Sequence, residues 1–94
     1  MQKLTEAEIE QHLSLVPEWG LVSGQITRTY SFPDFKASMA FVGRVAAYAE
    51  RVQHHPDILI RYNKVTLTVS THDAGGITQK DFDLAAECET LAKV

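Results

Sequence analysis

The sequence predicts an α+β fold with the element order α-β-β-α-β-β-α, in which helices pack on one face of a four-stranded antiparallel sheet. Three observations predict it: capping boxes at the starts of two amphipathic runs, a long apolar stripe with helical spacing, and short runs in which apolar and polar residues alternate. Strands that follow one another as hairpins favour an antiparallel sheet covered by helices. Because no repeat, low-complexity tract or linker interrupts the pattern, residues 1–94 are expected to form a single domain.

The first helix is predicted from a capping box formed by Thr5 and Glu8. Leu4 and Ile9 occupy the two positions of a hydrophobic staple, which fixes the direction from which the chain enters a helix. The helix is expected to run for about ten residues and to end before Pro17.

A hairpin is predicted from Trp19 to Phe32, where two short runs flank the tripeptide SGQ. Ile26, Tyr30 and Phe32 share one parity and so face the same side of the sheet. Gly24 supplies the turn, because glycine adopts the left-handed backbone conformations that tight hairpins require.

A second helix is predicted after Pro33, because apolar residues recur at steps of three and four. The apolar face comprises Phe35, Met39, Val42, Val45, Ala46, Ala49 and Val52, and the opposite side carries Lys36, Arg44 and Arg51. This apolar face is expected to pack along the sheet. A residue that precedes a proline avoids the helical conformation, so His55 lies outside the helix, which must end near Gln53 or His54.

The remaining elements are a second hairpin and a last helix. Two strands are expected on either side of a turn at Asn63 and Lys64. Residues of the second strand alternate, with Val65, Leu67 and Val69 facing one way and Thr66, Thr68 and Ser70 the other. The loop HDAGG follows. Thr78 and Asp81 then form a capping box that opens a helix whose apolar face comprises Leu84, Cys88 and Leu91.

Composition restricts the class of protein. Nine Lys and Arg residues against twelve Asp and Glu residues leave a formal charge of −3, which disfavours nucleic-acid binding through phosphate contacts. The N-terminus MQKLTEAEIE lacks the apolar core of a signal peptide, and no apolar run approaches the roughly 20 residues of a membrane span. A single cysteine fits a reducing compartment, so a cytoplasmic location is expected. A chain of this length buries only about 60–65% of its unfolded surface, so an oligomer interface would add stability.

Glu50 and the adjacent histidines His54 and His55 allow two interpretations. On a continuing helix Glu50 and His54 would be neighbours, and the carboxylate could orient the imidazole. Alternatively, a positive imidazole simply complements the negative end of the helix dipole, and for this pair alone that interpretation is favoured. The second ring, held by Pro56, would let two imidazoles address one ligand from two directions.

His72 and Asp81 are also open to two interpretations. His72 stands at a strand end before a glycine-containing loop, where it is either a wall of a site or a surface histidine beside a turn. Asp81 is a helix-capping carboxylate by its spacing from Thr78, although the same spacing points it toward the side of Leu84 and Cys88. A metal site is not expected, since there is no HExxH or CxxC motif and neighbouring histidines are awkward as ligands of one ion. Cys88 is interpreted as a packing residue.

Seven residues with fixed spacing resemble the motif of the pterin-4a-carbinolamine dehydratase family. They are Glu50, His54, His55, Pro56, Tyr62, His72 and Asp81. The match consists of ExxxHHP, a tyrosine after five intervening residues, the segment STHDAGG, and an acid nine residues past His72. It extends over nearly the whole chain and includes the strand pair in YNKVTLTVSTH.

The resemblance implies an activity and partners. The reaction would be dehydration of a 4a-hydroxytetrahydropterin to the quinonoid dihydropterin and water, catalysed by a 4a-hydroxytetrahydrobiopterin dehydratase, a lyase. This step recycles tetrahydrobiopterin, the cofactor of aromatic amino-acid hydroxylases, so a functional link to such a hydroxylase is expected. The family assembles into homodimers or homotetramers, and the chemistry requires no metal or organic cofactor.

The resemblance also implies residue roles. His54 and His55 would transfer protons at the C4a hydroxyl and the ring nitrogen, and His72 would stand on the other wall. Glu50 would tune or orient His54, while Asp81 and Tyr62 would support the site. The substrate-binding residues would be His54, His55, Pro56, Thr71, His72, Asp73 and Ala74, partly through backbone atoms. Which histidine is the acid and which the base stays open.

Two departures and two alternatives accompany the resemblance. Animal members often carry Asp or Asn before the histidine pair and an aromatic residue two positions after the proline, whereas this chain has Gln53 and Ile58. These differences bear on substrate preference. One alternative function is a non-catalytic dimerisation partner and transcriptional co-regulator, as for animal members. The other is an enzyme of the same fold in molybdopterin metabolism.

Overall fold

The computed structural model describes residues 2–94, which form three α-helices, four β-strands and one short 3-10 helix. The elements are α1 (Glu6–Leu13), β1 (Gly20–Val22), β2 (Gln25–Ser31), α2 (Phe35–Val52), β3 (Asp57–Arg61), β4 (Lys64–Val69), the 3-10 helix (His72–Ala74) and α3 (Gln79–Leu91). The predicted order α-β-β-α-β-β-α is confirmed.

The four strands form one sheet in the order β1-β2-β4-β3, and every neighbouring pair is antiparallel. The two hairpins join where β2 pairs with β4, from Ile26 opposite Val69 to Ser31 opposite Lys64. One face of the sheet is buried and carries Ile26, Tyr30, Val65, Leu67 and Val69. The other face carries threonines whose hydroxyls pair across the strands. The predicted antiparallel sheet with helices on one face is confirmed.

Both predicted capping boxes are present. The Thr5 hydroxyl accepts a hydrogen bond from the Glu8 backbone N–H at 3.2 Å, and Glu8 Oε1 accepts one from the Thr5 backbone N–H at 2.8 Å. His12 links α1 to the start of α3: one ring nitrogen lies 2.8 Å from Gln79 Oε1, and the ring packs against Phe82 with the ring centroids 5.0 Å apart. None of the helices within residues 2–94 is long and apolar enough to cross a membrane.

The turns follow the backbone preferences of their residues. Ser23 and Gly24 join β1 to β2 with positive φ angles of 51° and 76°, the left-handed conformation of a two-residue hairpin turn. In the second hairpin the predicted turn at Asn63 and Lys64 is wrong by one residue. The turn is formed by Tyr62 and Asn63, and Lys64 already pairs with Arg61. The register explains the shift, since Val65 must face the core and Lys64 therefore belongs to the strand.

The predicted apolar face of α2 is only partly correct. The buried positions are Ser38, Phe41, Val45 and Ala49, which pack toward the sheet and α3. Phe35 is 50% exposed and Met39 is 40% exposed, and Ala46 on the same side is also exposed. The apolar arc of this helix is wider than the surface that the sheet and α3 can cover. An apolar strip of Phe35, Met39 and Ala46 therefore stays exposed in the monomer.

A polar cluster around Glu89 joins α3 to the sheet. Oε2 of Glu89 accepts hydrogen bonds from Arg28, Tyr30 and the indole N–H of Trp19, the last at 3.2 Å. Burial alone would raise the pKa of Glu89, but the hydrogen bonds from Tyr30 and Arg28 outweigh it and hold the pKa below its ordinary value. Because α3 also carries Asp81, this cluster helps to position the candidate site.

Candidate active site

Three histidines meet at one recess of about 230 Å³. The recess lies where the loop after α2 meets the loop after β4. Its walls are Gln53, His54, His55, Ser70, Thr71, His72, Asp73 and Lys80. The fold therefore brings together the histidine pair and His72, which the sequence separates by seventeen to eighteen positions.

The end of α2 sets the direction of the histidine pair. Gln53 adopts the left-handed conformation with φ 55°, and its backbone N–H donates to the carbonyl oxygen of Ala49. The backbone N–H of His54 donates to the same oxygen at 3.1 Å. Since a left-handed residue ends a helix, His54 and His55 leave the helix and project into the loop. The predicted end of the helix near Gln53 or His54 is confirmed.

Asp81 is the partner of His54. Nε2 of His54 lies 2.6 Å from Oδ1 of Asp81, whose side chain has no exposed surface. The second carboxylate oxygen accepts hydrogen bonds from the Thr71 hydroxyl and from the Thr78 backbone N–H, each at 2.8 Å. Asp81 is thus both the cap of α3 and a brace between α3, the loop after β4 and the histidine pair.

Glu50 contacts a different histidine from the one expected. Its Oε2 lies 2.6 Å from Nε2 of His55, so the expectation that Glu50 orients His54 is wrong for this geometry. The left-handed turn at Gln53 is the reason, because His54 no longer lies one helical turn above Glu50 and instead faces α3. Unlike the buried pair of His54 and Asp81, this pair is open to solvent, with side chains 53% and 71% exposed.

The two carboxylates define which nitrogen of each ring can take up a proton. A carboxylate accepts hydrogen bonds, so Nε2 of His54 and Nε2 of His55 each carry a hydrogen. In the neutral ring the lone pair is then on Nδ1. The arrangement can therefore accept a proton at Nδ1 and stabilise the resulting imidazolium through the carboxylate.

His72 stands in the 3-10 helix that follows β4. Its carbonyl oxygen accepts from the Gly75 backbone N–H at 3.0 Å, and Gly75 adopts a left-handed φ of 73°. Thr71 and Gly76 close the loop with a backbone hydrogen bond of 2.8 Å. His72 is exposed, and it lines the recess together with Asp73. The loop thus holds His72 opposite the histidine pair.

Five predicted site residues do not line the recess that the described residues form: Glu50 and Asp81, which contact it through the histidines, and Pro56, Tyr62 and Ala74. Pro56 and Ala74 are half-buried beside wall residues. Tyr62 lies in the turn at the far end of β3 from the histidine pair, roughly 15 Å away along a five-residue strand. The structure therefore does not bring Tyr62 to the recess, and its supporting role stays a prediction. Fixed spacing in a motif does not say at which end of a strand a residue lies.

Two wall residues, Ser70 and Lys80, were absent from the prediction, and a third, Gln53, was named only as a departure that bears on substrate preference. Ser70 shares the parity of Thr66 and Thr68 and leads directly to His72, so the strand pattern contained a signal for it. Lys80 precedes Asp81 in the first turn of α3, and Gln53 precedes His54. For Lys80 and Gln53, the indication available in the sequence was that each stands next to a predicted site residue.

Other features of the described residues offer less for chemistry. A larger recess of about 370 Å³ lies between α1, the first hairpin and Gly75, but its lining in the described part of the chain includes no histidine. No group of three or more His, Cys, Asp or Glu side chains within residues 2–94 is placed to hold a metal ion. Cys88 is buried, which raises the pKa of its thiol to about 12, in keeping with a packing role.

Comparison with known proteins identifies relatives over nearly the whole chain. The family model described as "Pterin 4 alpha carbinolamine dehydratase" matches residues 2–91. A protein of Acidobacterium capsulatum that carries the provisional name pterin-4-alpha-carbinolamine dehydratase is 55% identical over 91 residues, covering 97% of this chain and 99% of its own length. A Chloroflexus aurantiacus protein with the same provisional name is 50% identical, with coverages of 97% and 98%.

Solved structures agree with the fold. A crystal structure from Brucella melitensis, described as a transcriptional coactivator/pterin dehydratase, superposes with a TM-score of 0.94 at 34% identity, covering 97% of this chain and 99% of that chain. A pterin dehydratase-like protein described as a RuBisCO assembly factor of the alpha-carboxysome superposes with a TM-score of 0.65 at 21% identity, with coverages of 79% and 86%. The second likeness concerns the fold alone.

Proposed function

The chain belongs to the pterin 4 alpha carbinolamine dehydratase family, and on that premise we propose that it acts as a single-domain dehydratase of 4a-hydroxytetrahydropterins. The products are the quinonoid dihydropterin and water. The observation that carries the proposal is the recess walled by His54, His55 and His72, in which two of the imidazoles each hold a hydrogen bond of 2.6 Å to a carboxylate.

The reaction needs two proton transfers at neighbouring atoms. The C4a–O bond breaks as the hydroxyl receives a proton and leaves as water. The adjacent ring nitrogen N5 loses its proton, and its electron pair forms the C4a=N5 double bond. Imidazoles give and take protons near neutral pH, and a positioned acid or base typically contributes about 10²- to 10⁴-fold in rate. Dehydration of this kind requires no metal or organic cofactor.

The histidines supply both transfers in this proposal. Nδ1 of His54 or of His55 takes the proton from N5, and the other ring gives one to the hydroxyl. Asp81 and Glu50 hold the rings and stabilise their charged forms. His72, Asp73 and the backbone of Thr71 to Ala74 form the opposite wall and hold the flat pterin, with Pro56 keeping the histidine pair outside α2.

The test is the disappearance of a 4a-hydroxytetrahydropterin that a hydroxylase generates in situ. Purified protein should accelerate the disappearance over buffer, and the acceleration should scale with protein concentration. A rate equal to that in buffer, with folded protein present at micromolar concentration, would overturn the proposal.

A second function is favoured by one observation. The relative from Brucella melitensis is described as a transcriptional coactivator as well as a pterin dehydratase. A binding-only role predicts that the protein captures a transcription factor from native extract and accelerates no dehydration. Retention of His54, His55 and His72 in one recess favours the enzyme.

Assembly into a homodimer or homotetramer is part of the same proposal. The exposed apolar strip of Phe35, Met39 and Ala46 on α2 supports it, since a second copy of the chain would remove these side chains from water. A cytoplasmic location and a functional link to an aromatic amino-acid hydroxylase, through tetrahydrobiopterin recycling, also belong to the proposal.

A further inference from the structure

A second, smaller recess adjoins the histidine recess. It has a volume of about 140 Å³ and is lined by Tyr48, Val52, His54, Lys80 and Asp83. Two of these residues, His54 and Lys80, also line the histidine recess. The two recesses are therefore neighbours, with His54 and Lys80 as their shared wall.

The volumes favour a ligand that uses both recesses. Small-molecule sites usually measure roughly 300–1,000 Å³. The histidine recess alone, at about 230 Å³, falls below this range, and the smaller recess brings the total into it. A flat bicyclic ring in the first recess would thus have room beside it for a short substituent.

The bonding within the pterin ring determines which substituent lies nearest the wall of His54 and Lys80 that the two recesses share. C4a is bonded to N5, and N5 is bonded to C6, the carbon that carries the side chain of natural tetrahydropterins. A side chain on C6 therefore emerges beside the group that takes the N5 proton. His54 and His55 can each take this proton at Nδ1, since the Nε2 of each is bound to a carboxylate. Of the two, His54 lines both recesses and His55 lines one, so a pterin with N5 at His54 directs its C6 substituent toward the smaller recess.

The walls of the smaller recess suit a short hydroxylated chain. Val52 and the ring of Tyr48 give an apolar side, and the guanidinium of Arg51 lies 5.2 Å from the centroid of that ring. Lys80 can donate a hydrogen bond to a hydroxyl oxygen, and Asp83 can accept one from a hydroxyl hydrogen. Asp83 is itself held by the Gln79 side-chain amide at 2.9 Å. An anionic substituent would be repelled by the Asp83 carboxylate, and a methyl group would form no hydrogen bond with Lys80 or Asp83.

We propose that the recess of Tyr48, Val52, His54, Lys80 and Asp83 is the subsite for the C6 substituent, and that Lys80 makes the protein select a short neutral polyol chain there. This inference rests on the proposed function, since it requires a pterin in the histidine recess. Lys80 is a specificity-determining residue in this account and takes no part in proton transfer.

The experiment compares two substrates that differ only at C6. They are the 4a-carbinolamines of tetrahydrobiopterin, which carries a dihydroxypropyl chain, and of 6-methyltetrahydropterin. The value of kcat/KM is measured for both with the wild type, Lys80→Met and Lys80→Arg, and with Lys64→Met as a control on the distant end of the sheet. In parallel, the stable 7,8-dihydropterins with the same two substituents are titrated calorimetrically.

The expected result is a wild-type preference for the dihydroxypropyl chain that Lys80→Met lowers about 3- to 10-fold through KM, the size of one typical net hydrogen bond. Lys80→Arg should retain the preference, and Lys64→Met should leave both substrates unaffected. An unchanged preference in Lys80→Met, an equal loss on both substrates, or a wild type without preference would overturn the subsite. If the wild type turned over neither carbinolamine, the proposed function would fail. The difference in affinity between the two 7,8-dihydropterins, measured calorimetrically for the wild type and Lys80→Met, would still decide whether Lys80 selects the C6 substituent.

Discussion

Nε2 of His54 and Oδ1 of Asp81 lie 2.6 Å apart, and this contact joins the loop after α2 to the first turn of α3. Asp81 has no exposed surface, and it also binds Thr71 and Thr78. A buried carboxylate is stable only when its hydrogen-bonding capacity is used. The contact therefore serves both the stability of the fold and the orientation of the imidazole.

Replacing Asp81 should affect stability and turnover together. Asp81→Asn offers an N–H₂ group where the carboxylate accepted hydrogen bonds, so a buried donor is left facing other donors. The free energy of unfolding should fall by about 1–3 kcal/mol, and dehydratase turnover should fall because His54 loses its partner. Chemical denaturation and the carbinolamine assay measure the two effects. Glu10→Gln, an exposed change on α1, should alter neither, and an Asp81→Asn protein with wild-type stability and turnover would show that the contact is dispensable.

Two glycines offer a matched pair of substitutions. Gly75 and Gly24 both adopt positive φ, and an added Cβ would meet no atom within 4 Å at either position. Gly75→Ala and Gly24→Ala should therefore each cost about 1–2 kcal/mol of stability through backbone strain alone. Only Gly75 ends the 3-10 helix that holds His72. Turnover measured well below the unfolding temperature should fall in Gly75→Ala and not in Gly24→Ala, and equal turnover in both would argue against a role for this loop.

The Glu89 cluster should make stability depend on pH. The pKa of Glu89 is lowered in the folded protein, because hydrogen bonds from Tyr30 and Arg28 outweigh its burial. Folding therefore favours the deprotonated carboxylate. The stabilisation is fully present above the ordinary value of 4.5 and is lost as the pH falls through the lower folded-state value.

Comparison with Glu89→Gln isolates this contribution. At neutral pH the variant should be less stable than the wild type by about 1–3 kcal/mol, and the difference should shrink as the pH is lowered below 4.5. Urea denaturation between pH 3 and pH 7, followed by Trp19 fluorescence, measures it. A difference that stays constant over this range would mean that the carboxylate charge does not stabilise α3.

The exposed strip on α2 predicts a concentration-dependent assembly. Met39→Glu places a charge in the strip and should shift the protein toward the monomer, because burying an unpaired carboxylate in an interface is unfavourable. Ala47→Glu, on an exposed part of the same helix away from the strip, is the control. Light scattering coupled to size-exclusion chromatography gives the mass of each. A monomeric wild type, or identical masses for both variants, would contradict assembly through this strip.

Much of the fold could be predicted because its signals are local. Both capping boxes start helices where Thr5 and Thr78 stand in the sequence, and Pro56 fixes the end of α2 within one residue. Alternation in β4 identified its buried face. The exposed strip of α2 was not predictable in the same way, because periodicity marks apolar positions and does not reveal how many neighbours are present to cover them.

The pairing of the site residues could not be predicted from spacing alone. His54 and Asp81 are 27 positions apart, and only the packing of α3 against α2 brings them together. Glu50 and His54 have helical spacing, but the left-handed backbone of Gln53 ends that periodicity, and His55 takes the place next to Glu50. Local rules identified the residues, and tertiary packing decided their partners.

The most direct test of the account is the turnover of a 4a-hydroxytetrahydropterin by His54→Ala and His55→Ala beside the wild type. Each variant should lose about 10²- to 10⁴-fold in rate, while the circular dichroism spectrum stays that of the wild type. The partly buried His12, which links α1 to α3, provides a control, since His12→Gln should leave turnover unchanged at a temperature where it is folded. Wild-type turnover in both His54→Ala and His55→Ala would contradict proton transfer by this histidine pair.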